Sequence, residues 1–247
     1  MGGDGGARRP GGPGLGRGAG GAVERAARAE AGQGALSSPL TPEALGQELA
    51  RRAGAASRRM VVAIAGPPGA GKSTLVDQLQ AALRADGLPT QILPMDGFHY
   101  DNAILDARGL RHRKGAPESF DACGLIRLLQ ALANPEAPDI AVPVFDRAAD
   151  LSRGSARIIP AQTRVLLAEG NYLLLDRAPW NALRPLADVT VMLDCPLEVL
   201  EARLMRRWLA LGLPETEARA RVEGNDLPNA RLVLAESAPA ALRVSTR

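Results

Sequence analysis

The octapeptide Gly66-Pro67-Pro68-Gly69-Ala70-Gly71-Lys72-Ser73, followed by Thr74, constrains this chain more than any other feature. It satisfies G-x-x-x-x-G-K-[ST]. In that pattern glycines let backbone N–H groups turn inward around a phosphate, and the next helix presents its positive N-terminus. Lysine then reaches the β- and γ-phosphates of a nucleotide, and the serine hydroxyl serves Mg²⁺. Context separates such a loop from a merely glycine-rich turn. Met60-Val61-Val62-Ala63-Ile64-Ala65 precedes it, a continuous apolar run of the kind that forms a buried parallel strand. From Lys72 to about Ala85, Leu75, Leu79 and Leu83 recur on one helical face. Strand, loop and helix together predict a phosphate-binding unit.

The alternation continues along the chain. Thr41-Pro42-Glu43 reads as an N-cap, a first-turn proline and an acidic first turn, opening a helix to about Ala53. Strands are expected at Thr90 to Met95, Ile140 to Phe145, Arg164 to Ala168 and Val189 to Leu193, with a last short one at Ala241 to Val244. Helices are expected over Ala122 to Ala133, Pro196 to Leu211 and Glu215 to about Ala235. Strands alternating with helices imply an α/β fold with a parallel sheet covered on both faces. At 247 residues the chain is long enough for one such domain, read here as residues 41–247. Residues 1–40 hold almost half of the glycines and hardly any large apolar side chain. They are expected to form a disordered tail.

Composition removes several classes of function. A net charge of only +3, with no basic stripe or arm, gives no reason to expect a nucleic-acid partner. No apolar run approaches the roughly 18 residues of a membrane span, and no secretory h-region is present. Cys123 and Cys195 belong to no C-x-x-C or metal-ligand spacing, so reduced thiols and a cytoplasmic location are expected. A homodimer stays open. There is no guanine-reading N-K-x-D segment and no L-S-G-G-Q transporter signature. Almost every basic residue is Arg, with Lys only at Lys72 and Lys114. A lysine retained against that bias invites a chemical reason, because Arg does not replace it at every site.

A small-molecule kinase needs a base for the acceptor hydroxyl, a carboxylate on the metal side and cations over the transferring phosphoryl group. Asp96, in Met95-Asp96-Gly97-Phe98-His99-Tyr100, ends a predicted strand where ligands of open α/β sheets bind. It is the candidate base, against the alternative of a turn-forming Asp-Gly. Glu169 ends the run Val165-Leu166-Leu167-Ala168 and is the candidate metal-side carboxylate. Arg203, Arg206 and Arg207 lie off the stripe Leu197, Leu200, Leu204, Trp208 and Leu211, and are candidates for a helical lid. The alternative is pairing with Glu198 or Glu201. The chain is only 3% aromatic, yet Phe98, Tyr100, Phe145 and Tyr172 follow or end predicted strands on one edge. With Phe120 they are expected to wall an acceptor pocket.

These segments resemble the phosphoribulokinase/uridine kinase family. The likeness rests on Gly66 to Thr74, Met95 to His99, Arg113-Lys114-Gly115-Ala116-Pro117-Glu118-Ser119-Phe120-Asp121, Pro143-Val144-Phe145-Asp146-Arg147 and Glu169-Gly170. It implies a P-loop NTPase three-layer sandwich with a five-stranded parallel sheet and a lid, and phosphorylation of a sugar, nucleoside or pantothenate hydroxyl by ATP·Mg²⁺. It assigns Asp96 as base, Ser73 and Glu169 to Mg²⁺, and Arg203 and Arg207 to the lid. His99, Lys114, Asp121, Asp146 and Arg147 would join the aromatics at the acceptor. Arg113 to Asp121 is similar to bacterial pantothenate kinase, but Phe145-Asp146-Arg147 matches neither the uridine nor the pantothenate enzymes. Glu169-Gly170-Asn171-Tyr172-Leu173-Leu174, Arg207-Trp208 and Asn225-Asp226-Leu227-Pro228-Asn229-Ala230 are similar to a branch with some members labelled sugar kinases. Asn225 would read adenine, or cap and pack. The competing function is a P-loop ATPase acting as a regulatory or assembly module without an acceptor.

Overall fold

The computed structural model describes residues 38–245. The expected tail lies outside them, except for its last residues. Leu40 pairs with Val244, and its N–H donates to Arg243 O at 2.7 Å. Helix α1 (Pro42–Ala55) starts at Thr41, whose hydroxyl accepts from Ala44 N. Strand β1 (Met60–Ala65) is buried throughout. The loop follows, then α2 (Lys72–Ala85), which buries Leu75, Leu79 and Leu83 as the spacing predicts. Strand β2 (Thr90–Pro94) runs into a 3₁₀ turn, Met95–Phe98. Short α3 (Asn102–Ala107) and α4 (Ala122–Leu132) come next. Strands β3 (Ile140–Asp146), β4 (Leu151–Ile159), β5 (Val165–Gly170) and β6 (Val189–Asp194) follow. Helix α5 (Leu197–Ala210), α6 (Glu215–Arg221), α7 (Leu227–Glu236) and β7 (Leu242–Ser245) complete the chain.

The sheet is parallel, in the order β2-β5-β1-β6-β7. Its three central strands carry almost unbroken apolar sequence because both faces are covered. One core lies with α1, α2 and α5, and the other with α4 and Trp180. The three-layer α/β sandwich with five parallel strands is therefore present. Arg59 closes the edge beside α4. It is buried and donates to the carbonyls of Thr163, Leu132, Pro160 and Ala161.

One expectation needs correction and another a refinement. Ile140 to Phe145 is a strand, but it pairs antiparallel with β4 as a separate hairpin and never joins the main sheet. The fifth parallel strand is β7. The helix expected from Glu215 to about Ala235 is present as a continuous helical run to Glu236, with a π-turn at Val222–Asp226 inside it. Pro228 has no N–H for the carbonyl four residues back, Gly224 O, and its ring crowds that group. The backbone instead bonds Leu227 N to Val222 O, and Arg113 Nη1 reaches Gly224 O at 3.4 Å.

Candidate active site

The phosphate loop leaves the carboxyl end of β1. Gly69 and Gly71 have φ of 82° and 91°, left-handed values that a Cβ resists. A Cβ on Gly69 would also lie 3.2 Å from Leu204 Cγ, so α5 packs directly on the loop. Lys72 opens α2 and is buried. Its ammonium donates to Pro67 O at 3.0 Å and to Asn171 Oδ1 at 2.6 Å. Burial lowers the Lys72 pKa, the Glu169 and Asp96 carboxylates oppose that shift, and Arg207 and Arg147 add to it.

Glu169 lies at the end of β5, in register with Ile64 of β1 and Pro94 of β2. It is only 8% exposed. Desolvation pushes its pKa up to about 7, with Lys72 pulling the other way. Asp96 stands on the 3₁₀ turn after β2, where its Oδ2 accepts from Arg147 Nη2 at 3.3 Å. Gly97 makes that placement possible, because a Cβ there would lie 2.5 Å from Pro143 O of the hairpin. The hairpin thus packs closely on the turn at the carboxyl end of β2. Between them lies a cavity of about 190 Å³, whose lining includes Ser73, Asp77, Asp96, Arg147, Arg157 and Glu169. From α5, Arg203 Nη1 points to Gly69 O and Cys195 Sγ, both at 3.5 Å. Arg207, one turn on, has its pKa lowered by burial and by Arg147.

A phosphate loop facing two strand-end carboxylates is consistent with several P-loop enzymes, and the sequence comparison decides among them. The profile of the Phosphoribulokinase / Uridine kinase family matches residues 61–210. The chain belongs to that family. As a member it is an ATP-using phosphotransferase with a small-molecule hydroxyl as acceptor. It is 39% identical over 189 residues to the uncharacterised Escherichia coli protein YggC, covering 76% of this chain and 78% of that one. It is 35% identical over 154 residues to the pantothenate kinase of Rhodococcus erythropolis, covering 61% of this chain but only 49% of the relative. A crystal structure from Silicibacter sp. TM1040, provisionally assigned as a fructose transport system kinase, superposes with a TM-score of 0.78 at 46% identity. That match covers 83% of this chain and 98% of the other.

Within this family member, the residues predicted for the acceptor divide into two groups. Asp96, Phe145 and Arg147 line the cavity beside Ser73 and Glu169. Others are committed to the protein itself. Tyr172, expected as a pocket wall, is fully buried and its hydroxyl donates to Gly115 O at 2.6 Å. Phe98 is packed in the same core. His99 packs at a tilt against both Phe120 and Phe145, with ring centroids 3.9 and 4.7 Å away. Burial lowers its pKa. Phe120 and Tyr100 face a second cavity with Trp180, and Arg108 lies over the Tyr100 ring.

The polar candidates behave similarly. Asp121 caps α4 by accepting from Gly124 N. Asp146 accepts from Ala148 N and Ala149 N and shapes the hairpin turn. Lys114 donates to Asn102 Oδ1 and Asp150 O and pairs with Asp150 Oδ1 at 2.8 Å. Asn225 donates to Lys114 O and accepts from Arg113, which favours packing over base reading. Leu211, expected on the α5 stripe, lies past the helix end and is 62% exposed. Sequence reasoning missed Asn171, Asp77 and Arg157 as site residues. Asp77 falls one turn after Ser73 on α2, which was a readable signal. Arg157 had none, because its strand was not recognised.

Proposed function

We propose that this protein transfers the γ-phosphoryl group of ATP·Mg²⁺ to a hydroxyl of a sugar or nucleoside, with pantothenate a further acceptor of the same chemistry. The observation that carries the reading is that Asp96 and Glu169 line one cavity beside the phosphate loop, with both carboxylates acting electrostatically on the Lys72 ammonium. The acceptor hydroxyl oxygen bonds to the γ-phosphorus while the bond from that phosphorus to the β–γ bridging oxygen breaks. Asp96 takes the hydroxyl proton, and ADP leaves. Lys72 exchanges its bonds to Pro67 O and Asn171 Oδ1 for the β- and γ-phosphates. Arg203 and Arg207 approach the transferring group from α5, and the backbone N–H groups of Gly66 to Thr74 cradle the remainder.

The donor set suits magnesium. Ser73 and Glu169 offer hard oxygen ligands, and no cluster of three or more His, Cys, Asp or Glu side chains forms a metal cage among the described residues. Mg²⁺ characteristically takes one or two protein oxygens and completes its shell with phosphates and water. A cation there would also offset the desolvation that disfavours the charged form of Glu169. When bound, it would neutralise charge developing on the β- and γ-oxygens.

Asp96→Asn tests the assignment of the base. Turnover is expected to fall by about 10²–10⁴-fold, the usual range for removing a positioned base, while ATP binding measured by calorimetry persists. Undiminished acceptor phosphorylation in this variant would remove Asp96 from the mechanism.

A further inference from the structure

The cavity faced by Tyr100, Phe120 and Trp180 shares no lining residue with the one beside the phosphate loop. Its volume is about 350 Å³, within the range of roughly 300–1,000 Å³ in which small-molecule pockets fall. Three aromatic side chains line it in a chain that is only 3% aromatic. The Phe120 and Trp180 rings meet edge to face, with centroids 6.0 Å apart. Surface of this kind accepts the edge or face of a further ring.

Charge narrows the ligand. The lining holds two guanidiniums, Arg108 and Arg177, against one carboxylate, Glu118. Glu118 already faces Arg113 at 3.4 Å, and Arg177 faces Glu236 at 3.6 Å. Arg108 differs from both. Its guanidinium lies over the Tyr100 ring, 4.4 Å from the centroid, and among the described residues it pairs with no carboxylate. Stacking engages the face of a guanidinium and leaves its in-plane N–H donors for the two oxygens of a carboxylate. One uncompensated cation beside aromatic surface selects a flat ring that carries a single negative charge.

The same cavity touches the turn that carries Asp96. Tyr100 N donates to Ser119 O at 2.9 Å and Asp121 N to Phe98 O at 2.8 Å, which clamps residues 98–100 to residues 119–121. The Phe120 ring packs on His99, whose Nδ1 lies 2.8 Å from Asp96 O. A ligand held against Phe120 and Tyr100 therefore stiffens the segment next to Asp96.

We infer that this cavity is an effector site for a small aromatic acid, a flat ring bearing one carboxylate, bound through Arg108 and coupled to the turn at Asp96. The site is separate from those proposed for ATP and acceptor, and its ligand is not consumed.

The chain has two tryptophans, Trp180 and Trp208. The full-length protein carrying Trp208→Phe therefore reports on the cavity through Trp180 fluorescence. Benzoate, nicotinate and phenylacetate are titrated beside their neutral amides. At least one acid is expected to quench saturably with a Kd of about 1 mM or tighter, and its amide to bind about 10-fold more weakly or worse. Saturating ATP·Mg²⁺ should not displace the acid. In the unaltered protein, amide exchange at residues 98–100 and 119–121 should slow when the acid is bound. Arg108→Gln, at an exposed position, should erase the difference between acid and amide. Arg127→Gln, which removes the same charge from α4 outside the cavity, should preserve it. No saturable quenching by any of the acids, equal affinity of acid and amide, displacement by ATP·Mg²⁺, or unchanged exchange would each overturn the inference. None of these readouts uses turnover, and each leaves the kinase function standing.

Discussion

Glu169 shows how the site stores free energy at a single residue. Its carboxylate is buried at the end of β5, and desolvation lifts its pKa from the ordinary 4.5 to about 7. The folded protein therefore binds a proton that the unfolded chain releases at lower pH. Stability from this group is complete below about 4.5 and is lost as pH rises through about 7, a change of about 3 kcal/mol at most. Glu169→Gln stays neutral throughout. It is expected to melt several degrees above the nucleotide-free parent at pH 8, and near it at pH 5, while losing turnover. Equal melting temperatures at pH 8 would show that Glu169 is not strained by burial. Lys72 is the complementary case, since burial weakens its charged form while Pro67 O and Asn171 Oδ1 hold it in place. The proposed metal and phosphate would bring each residue the opposite charge that burial denies it.

At the scale of elements, the hairpin forms the proposed acceptor side, and Lys114 ties its turn to α3. The Lys114 ammonium joins α3, through Asn102, to Asp150 at the hairpin turn. Asp150 has φ of 51°, a left-handed value uncommon for a residue with a side chain. Burial opposes its ionised form, but the bonds from Lys114 and then Asn102 keep its pKa low. Lys114→Ala is expected to cost about 1–2 kcal/mol and to speed amide exchange across residues 146–152. KM for the acceptor should rise severalfold, with KM for ATP unchanged. Unaltered exchange there would mean the hairpin is held by its strands alone. The chemical reason for the second lysine is thus structural, although the sequence invited a binding role.

Reading elements from sequence succeeded where burial wrote a pattern. β1, β5 and β6 are apolar runs because both faces are covered. β4, Leu-Ser-Arg-Gly-Ser-Ala-Arg-Ile-Ile, is mostly exposed and has neither alternation nor a run to detect. Missing it hid Arg157 and left β3 without its partner, so β3 was assigned by default to the main sheet. In the candidate site, chain position relative to the loop was enough to nominate Lys72, Ser73, Asp96 and Glu169, and Ser73, Asp96 and Glu169 line one cavity. Tyr172 and Asn225 were not legible in this way, because whether a polar side chain meets ligand or protein depends on contacts between distant segments, such as Tyr172 with Gly115 and Asn225 with Lys114.

Across the whole molecule, the sheet order β2-β5-β1-β6-β7 brings the loop, Glu169 and Asp96 to the carboxyl ends of three adjacent strands, β1, β5 and β2. Ligands of open parallel sheets bind at that edge. In the proposed reading the nucleotide side is built from α2 and α5, and the acceptor side from the hairpin and the turn after β2. A pure ATPase module needs only the first half. A second, charged wall around Asp96 is what the proposed transferase needs and such a module does not. The direct measurement is ADP release by the purified protein, with and without each acceptor of a panel of polyols, sugar acids, sugar phosphates, nucleosides and pantothenate, coupled to mass detection of the product. Acceptor-dependent release with a phosphorylated product is expected. Equal ADP release in every well, with no phosphorylated acceptor, would contradict phosphoryl transfer to a small molecule as this protein's function.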